Sequence, residues 1–71
     1  MINGTLNRPT ARETEILNLL VRGQSNKMIG NELEISEQTV KNHITEMFFK
    51  FEVKNRTQLA MLASKKGFIK L

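Results

Sequence analysis

Residues 25–51 read SNKMIGNELEISEQTVKNHITEMFFKF and contain the pattern of two helices joined by a tight turn. Ser25 is typical of a helix N-cap, because its hydroxyl can accept a hydrogen bond from a free amide of the first turn. It predicts a short helix over residues 26 to about 33, in which Gly30 would allow a neighbouring segment to approach closely. The buried side of this helix is expected to consist of Met28, Ile29 and Leu33. A tight turn follows at residues 34–35.

A longer helix is predicted after this turn, over residues 37 to about 51. Ser36 can cap it, and Glu37 is well placed against the positive end of the helix dipole. Apolar side chains recur at helical spacing along one side, at Val40, Ile44, Met47, Phe48 and Phe51. The opposite side carries polar side chains at Gln38, Lys41, Asn42 and Thr45. A short helix, a tight turn and a longer helix with a polar face are the parts of a helix-turn-helix.

Two further helices are predicted on either side of this pair. Residues 10–13, TARE, form a capping-box pattern that opens a first helix over residues 11 to about 22, and Gly23 ends it. Residues 55–58, NRTQ, repeat the capping-box pattern and open a fourth helix that Gly67 ends. No strand-like alternation of more than a few residues occurs, so we predict an all-α, four-helix domain.

The composition limits the classes of protein to which the chain can belong. Its 71 residues are enough for one small domain, which we expect over residues 10–71 after a flexible lead-in over residues 1–9. The sequence has no Cys, which excludes disulfides and thiolate zinc sites. With one His, no Asp and no glycine-rich phosphate loop, it offers no nucleophile and base pair, so we expect neither enzyme activity nor a cofactor or metal.

The net charge of +4 and the pI of about 9.9 favour polyanionic partners. No apolar run approaches the roughly 20 residues of a membrane span, and no charged and apolar leader precedes a cleavage site. We therefore expect a soluble, cytoplasmic protein with no membrane partner.

The four polar residues of the third helix have the side chains that read base edges. Lys can donate to guanine or to a phosphate, Asn and Gln can pair with adenine, and Thr offers a hydroxyl or a methyl group. Any helix also shows polar residues to water, so this face alone is not specific. The short helix before it supplies the context, because Ser25, Asn26 and Lys27 offer free amides, a hydroxyl and a cation where a DNA phosphate could bind.

Five blocks of the sequence together carry a family resemblance. They are residues 10–13 (TARE), 23–27 (GQSNK), 33–36 (LEIS), 39–43 (TVKNH) and 53–58 (VKNRTQ). In this order and at these gaps they resemble the LuxR/GerE-type DNA-binding domain, also called NarL/FixJ-type, over residues 10 to about 69. The resemblance implies a four-helix domain whose third helix recognises double-stranded DNA and whose fourth helix commonly mediates dimerisation. It also implies a role in bacterial transcription regulation, with action at the nucleoid.

Site residues follow from the resemblance by position. Lys41 and Asn42 match the family's most frequent base-contacting sites, and Gln38 and Thr45 flank them. Sites near phosphates in the family correspond to Ser25, Lys27, Thr39, Lys54 and Arg56.

Three more residues are assigned to the phosphate set because of where they lie in their helices. Asn26 belongs to the start of the second helix. Lys50 lies in the C-terminal half of its helix, away from the part that presents residues to bases, so we expect it to meet the DNA backbone or water. His43 lies at the edge of the apolar stripe, where packing or a phosphate bond is the expected role rather than a titrating switch.

The sequence departs from the family pattern at several positions. Pro9 stands where the family commonly has Leu, and Glu34 and Glu52 stand at two turns where it usually has Gly. A non-Gly residue at positive φ costs on the order of 1 kcal/mol, so either these turns differ or the domain is less stable. Phe49 replaces a basic or polar residue. We expect it, with Met61 and Lys65, to form a partner or dimer surface, and partial burial of Phe49 is the alternative.

Two functions from different classes remain open. The first is sequence-specific DNA binding as a dimer, with RNA polymerase or another regulator as further candidate partners. The second is a protein-interaction module that keeps this scaffold and titrates another regulator. It stays open because Glu37 and Glu46 balance Lys41 and Lys50, which leaves the third helix with no net charge of its own.

Overall fold

The computed structural model describes residues 8–69, which form four α-helices. These are α1 (Ala11–Val21), α2 (Asn26–Leu33), α3 (Glu37–Lys50) and α4 (Arg56–Lys66). No strand occurs between residues 8 and 69, and the predicted all-α class is confirmed. Residues 1–7 of the expected lead-in lie outside the described part of the chain, as do residues 70 and 71. Among the described helices, none has the length and apolar character required to cross a lipid bilayer.

Each helix begins at the cap that the sequence predicts. The Thr10 hydroxyl accepts from the amide of Glu13 at 3.1 Å, and the Glu13 carboxylate accepts from the amide of Thr10 at 2.9 Å, which completes the capping box of α1. Ser25 and Ser36 cap α2 and α3 in the same way, by accepting from amides three residues further on. These caps satisfy amides that would otherwise have no partner in the first turn.

The start of α4 differs from the predicted capping box. The Asn55 side chain accepts from the amide of Gln58 at 2.9 Å, as expected. The Gln58 side chain, however, accepts from the amide of Lys54 at 2.8 Å rather than from that of Asn55. The second half of the predicted pattern is therefore shifted by one residue.

All four helices contribute to one core, whose fully buried side chains include Ile16, Leu17, Ile29, Val40, Met47 and Leu59. Met28 was expected on the buried side of α2, and this prediction is wrong, since 53% of Met28 is exposed. On a helix, Ile29, Gly30 and Leu33 lie on one side, and Met28 projects from roughly the opposite side. Phe48 of α3 and Phe51, which follows the helix as its C-cap, are only partly buried and pack against the edge of the core.

The contact between α2 and the turn before α3 requires a glycine. A Cβ atom added to Gly30 would lie 2.6 Å from the carbonyl oxygen of Ile35, a distance that no real side chain tolerates. The amide of Ile35 in turn donates to the carbonyl of Gly30 at 2.9 Å. The close approach predicted at Gly30 is therefore confirmed, and it fixes how α3 leaves the turn.

Both turns with Glu in place of the family's Gly adopt the left-handed conformation. Glu34 has φ of 60° after α2, and Glu52 has φ of 57° after α3. A residue other than glycine is strained in this conformation, so we expect backbone strain at both turns.

Candidate nucleic-acid interface

Four polar side chains of α3 form one exposed surface, which we call the α3 ridge: Gln38, Lys41, Asn42 and Thr45. The buried side chains of the same helix are Val40, Ile44 and Met47, and they face the core from the other side. The 3.6-residue period of the helix places each group on its own side. The predicted base-contacting residues are thus brought together and exposed to solvent.

The side-chain amides of two residues in the α3 ridge are hydrogen-bonded to each other. Gln38 Nε2 donates to Asn42 Oδ1 at 3.0 Å, one helical turn apart. An amide oxygen has two acceptor positions, so Asn42 Oδ1 can accept a second hydrogen bond while its NH₂ group remains a donor. These are the acceptor and the donor required for a bidentate contact with adenine.

The start of α2 lies beside the first turns of α3. An open cleft between the two helices is lined by Asn26, Glu37, Gln38 and Lys41. Ser25 and Lys27 are exposed at this end of α2, and the Ser25 hydroxyl accepts from the amide of Met28 at 3.2 Å. A hydroxyl, a cation and the amides of a helix N-terminus therefore adjoin the α3 ridge, which is an arrangement suited to an anionic group.

Arg56 joins the start of α4 to the start of α2. Its Nη1 donates to Asn26 Oδ1 at 2.6 Å, and its Nη2 donates to the carbonyl of Gln24. Arg56 and Asn26, both predicted to contact phosphates, are thus engaged with each other. These contacts join the N-terminus of α2 to the start of α4, and the phosphate contacts of both residues remain predictions. Since the two residues lie 30 positions apart, no local sequence pattern predicts this pairing.

The other residues of the predicted phosphate set are spread along the same region. Thr39 Oγ1 accepts from the Ser36 hydroxyl at 2.8 Å and belongs to the α3 cap. His43 is half-buried beside the core side of α3, and Lys54 is exposed in the loop before α4. The phosphate contacts of these residues remain predictions.

Lys50 lies apart from this group. Its Nζ is 2.9 Å from Glu13 Oε1 and 5.6 Å from the centre of the Phe51 ring, so its charge is directed at α1. Glu13 is only 6% exposed, and it is the one buried charged residue in the described part of the chain. We therefore leave Lys50 out of the interface, although the sequence places it among the phosphate contacts.

The pairing of Lys50 changes the charge that α3 shows to solvent. Its exposed charges are Lys41, Glu37 and Glu46, which sum to −1. A positive field at the α3 ridge must therefore come from neighbouring segments, and Lys27 and Lys54 are the exposed cations of the predicted set that can supply it.

Two of the three residues predicted as a partner or dimer surface line one depression, and the surface itself remains a prediction. Met61 and Lys65 are exposed on α4, where they line a shallow depression with Val21, Ala60 and Ser64. Phe49 is on α3 and does not line that depression. It is 80% exposed, so partial burial, the alternative for this residue, is wrong.

No group of three or more His, Cys, Asp or Glu side chains close enough to hold a metal ion occurs within residues 8–69. The described residues of the site are hydrogen-bond donors, acceptors and cations on a convex helix. These are the groups that contact nucleic-acid bases and phosphates.

Comparison with known proteins gives matches over most of the chain. Residues 10–63 match the family described as "Bacterial regulatory proteins, luxR family". The chain is 47% identical over 62 residues to the transcriptional regulatory protein DegU of Brevibacillus brevis, covering 87% of this chain and 26% of DegU. It is 43% identical over 56 residues to the nitrate/nitrite response regulator protein NarL of Escherichia coli strain K12, covering 79% of this chain and 26% of NarL.

A solved structure shares the fold. The structure titled "Structure of Transcription factor, GerE" superposes with a TM-score of 0.81 at 43% identity, covering 86% of this chain and 91% of that one. The chain thus matches nearly the whole of this transcription factor, but it spans only about a quarter of the length of the curated relatives above.

Proposed function

The chain belongs to the luxR family of bacterial regulatory proteins, and we propose that it binds double-stranded DNA at a specific sequence and thereby regulates transcription. In this proposal α3 enters the major groove and the α3 ridge reads the base edges. The observation that carries it is the exposure of all four ridge side chains on one side of a helix whose other side is buried. A chain with this role acts in the bacterial cytoplasm, where the nucleoid lies.

The dimensions of α3 support this docking. A major groove about 12 Å wide admits one α-helix with its side chains. The 14 residues of α3 form a rod of about 21 Å, and the ridge occupies its first eight to nine residues, the part of a recognition helix that meets base edges.

Phosphate binding is proposed for the groups beside the groove. Ser25 and Lys27 at the α2 N-terminus would contact one backbone, with Arg56 and Asn26 positioning that end of the helix. Thr39, His43 and Lys54 complete the set. Because phosphate contacts position a protein without reading sequence, substitutions here should weaken binding to every DNA about equally.

We also propose that the chain binds DNA as a dimer through α4. Met61 is 66% exposed and borders the shallow depression with Lys65, which offers an apolar contact with a charged rim. Two copies would place their α3 helices in successive major grooves, about 34 Å apart.

Selection of bound fragments from random DNA is the experiment that tests the function. We expect enrichment of one short motif, repeated with two-fold symmetry if the protein binds as a dimer. The same selection with Lys41→Ala should lose the preference at one position of the motif, whereas Lys66→Ala, which removes an equal charge from the last turn of α4, should return the wild-type motif. Fragments without any enriched sequence would contradict the proposal.

A protein-interaction module is the second candidate. Two observations favour it: the exposed charge of α3 is negative, and Met61 is exposed on α4. Such a module would associate tightly with another regulator and show no DNA affinity above that for random sequence at moderate salt. Light scattering of mixtures, together with DNA titrations, separates the two functions.

A further inference from the structure

We propose that Phe49 is a fifth sequence-reading residue, which contacts the C5-methyl group of a thymine in the major groove. The inference rests on the proposed insertion of α3 into DNA. It adds a contact type that the four polar residues do not provide, and it extends base reading beyond the first eight to nine residues of α3, to the outer end of the site.

Phe49 continues the α3 ridge toward the C-terminus. Gln38, Asn42, Thr45 and Phe49 occupy positions i, i+4, i+7 and i+11, so their side chains project from the same side of the helix. The rise from Gln38 to Phe49 is about 16 Å, or about five base pairs along a DNA strand. The Phe ring also reaches further from the helix axis than the Thr45 side chain does, which helps it to reach a groove that curves away from a straight helix.

The environment of Phe49 differs from that of the other phenylalanines. The chain has four Phe, and Phe48, Phe51 and Phe68 all pack against the core. The ring of Phe51 additionally contacts that of Phe68, with 5.3 Å between their centres. Phe49 alone is left 80% exposed. Covering an exposed aromatic ring with an apolar group is favourable, because apolar surface is removed from water.

The chemical groups exposed in the major groove indicate which of them Phe49 contacts. Phe has no hydrogen-bonding group and no charge, so it cannot bind a phosphate or a polar base edge. The thymine methyl is the distinctive apolar group that base pairs present in the major groove, and Phe is among the side chains suited to contact it.

The charges around Phe49 agree with an apolar contact. Lys50 is the only cation between residues 46 and 53, and its ammonium is paired with Glu13. Residues 46–53 therefore contain no unpaired cation that could hold a phosphate. Phe49 does not line the depression beside Met61 on α4, which is the surface proposed for the dimer.

The test uses this chain and the DNA motif obtained by selection. Each thymine of one half-site is replaced in turn by deoxyuridine, which removes only the methyl group. We expect one replacement, at the outer end of the half-site, to weaken binding about fourfold, the effect of withdrawing one methyl-sized group from apolar contact. With Phe49→Ala the same replacement should have no effect, while replacements elsewhere act as in the wild type.

Two further variants serve as controls. Phe49→Leu keeps an apolar side chain and should retain part of the sensitivity at that thymine. Met28→Ala removes an exposed apolar side chain from α2 and should leave the whole deoxyuridine profile unchanged. Because Phe49 is exposed, thermal unfolding of Phe49→Ala should match that of the wild type.

Different failures have different meanings. A selected motif whose deoxyuridine profile is identical for the wild type and Phe49→Ala overturns this inference and leaves the proposed function standing. So does a Phe49→Ala variant that loses self-association, or association with another regulator, without any change in that profile. If no motif is enriched at all, the proposed function fails, and this inference fails with it.

Discussion

Lys50 Nζ lies 2.9 Å from Glu13 Oε1, an ion pair that joins the end of α3 to the first turn of α1 across 37 residues. The same carboxylate oxygen accepts from the amide of Thr10 at 2.9 Å. One buried group therefore completes the cap of α1 and holds the C-terminal end of α3. This geometry separates Lys50 from the α3 ridge and gives it a structural role.

Replacing Lys50 tests that role. Lys50→Met keeps much of the aliphatic side chain but leaves the Glu13 carboxylate buried without its counter-ion, so we expect a loss of about 3 kcal/mol in the free energy of unfolding. Urea denaturation measures the loss. The double variant Glu13→Gln, Lys50→Met should be more stable than Lys50→Met alone, because it contains no buried charge.

The alternative role of Lys50 predicts a different result. If Lys50 contacts a phosphate, Lys50→Met should keep its stability and reduce the dependence of log K on log salt by about one unit. That pair of results would contradict the structural assignment.

Substitutions at Glu34 and Glu52 are expected to raise the stability of the domain instead of lowering it. Both hold φ near 60°, where a Cβ atom is strained and glycine is not. Glu34→Gly and Glu52→Gly should each raise the free energy of unfolding by about 1 kcal/mol, as measured by urea denaturation. The effects should be additive if the two turns are independent.

The matched control is Glu46→Gly, which places glycine in the interior of α3. This variant should lower stability by about 1 kcal/mol, because a helix-interior glycine loses more backbone entropy on folding. If all three glycine variants destabilise the domain, Glu34 and Glu52 do not strain these two turns.

Local features of this fold could be predicted from the sequence. Each helix cap depends on two residues three positions apart. All four predicted caps form in the structure, at Thr10, Ser25, Ser36 and Asn55. The buried side of α3 follows from helical periodicity in the same way. For this reason the sequence alone identifies the ridge residues as a set.

Contacts between distant segments could not be predicted in this way. The first example is Arg56 with Asn26, which are 30 residues apart. The second is Lys50 with Glu13, which are 37 residues apart. Each pairing depends on how the helices pack, which no spacing in the sequence encodes. The sequence predicts phosphate contacts for both cations, and the structure adds a protein partner to each. Met28 was misplaced because eight residues are too few to define the buried side of α2 from its pattern alone.

Lys27 is expected to act through charge alone. It is exposed at the N-terminal end of α2, beside the cleft that leads to the α3 ridge. Lys27→Ala should reduce the salt dependence of DNA binding by about one unit, because one fewer counterion is released, and the preferred sequence should not change. Titrations at several salt concentrations measure this slope. Lys66→Ala is the control of equal charge, and an unchanged slope for both variants would exclude Lys27 as a phosphate contact.

Asn42 provides the complementary test, because its removal changes no charge. Asn42→Ala should weaken binding to the selected motif by about 1–3 kcal/mol, the value of one base contact, and leave the salt dependence unaltered. Affinity for random DNA should stay near that of the wild type, since nonspecific binding depends on phosphates. Asn31→Ala is the matched control, because it removes an exposed amide from α2 and should alter neither affinity. Equal weakening on both DNAs by Asn42→Ala would mean that the α3 ridge does not read bases.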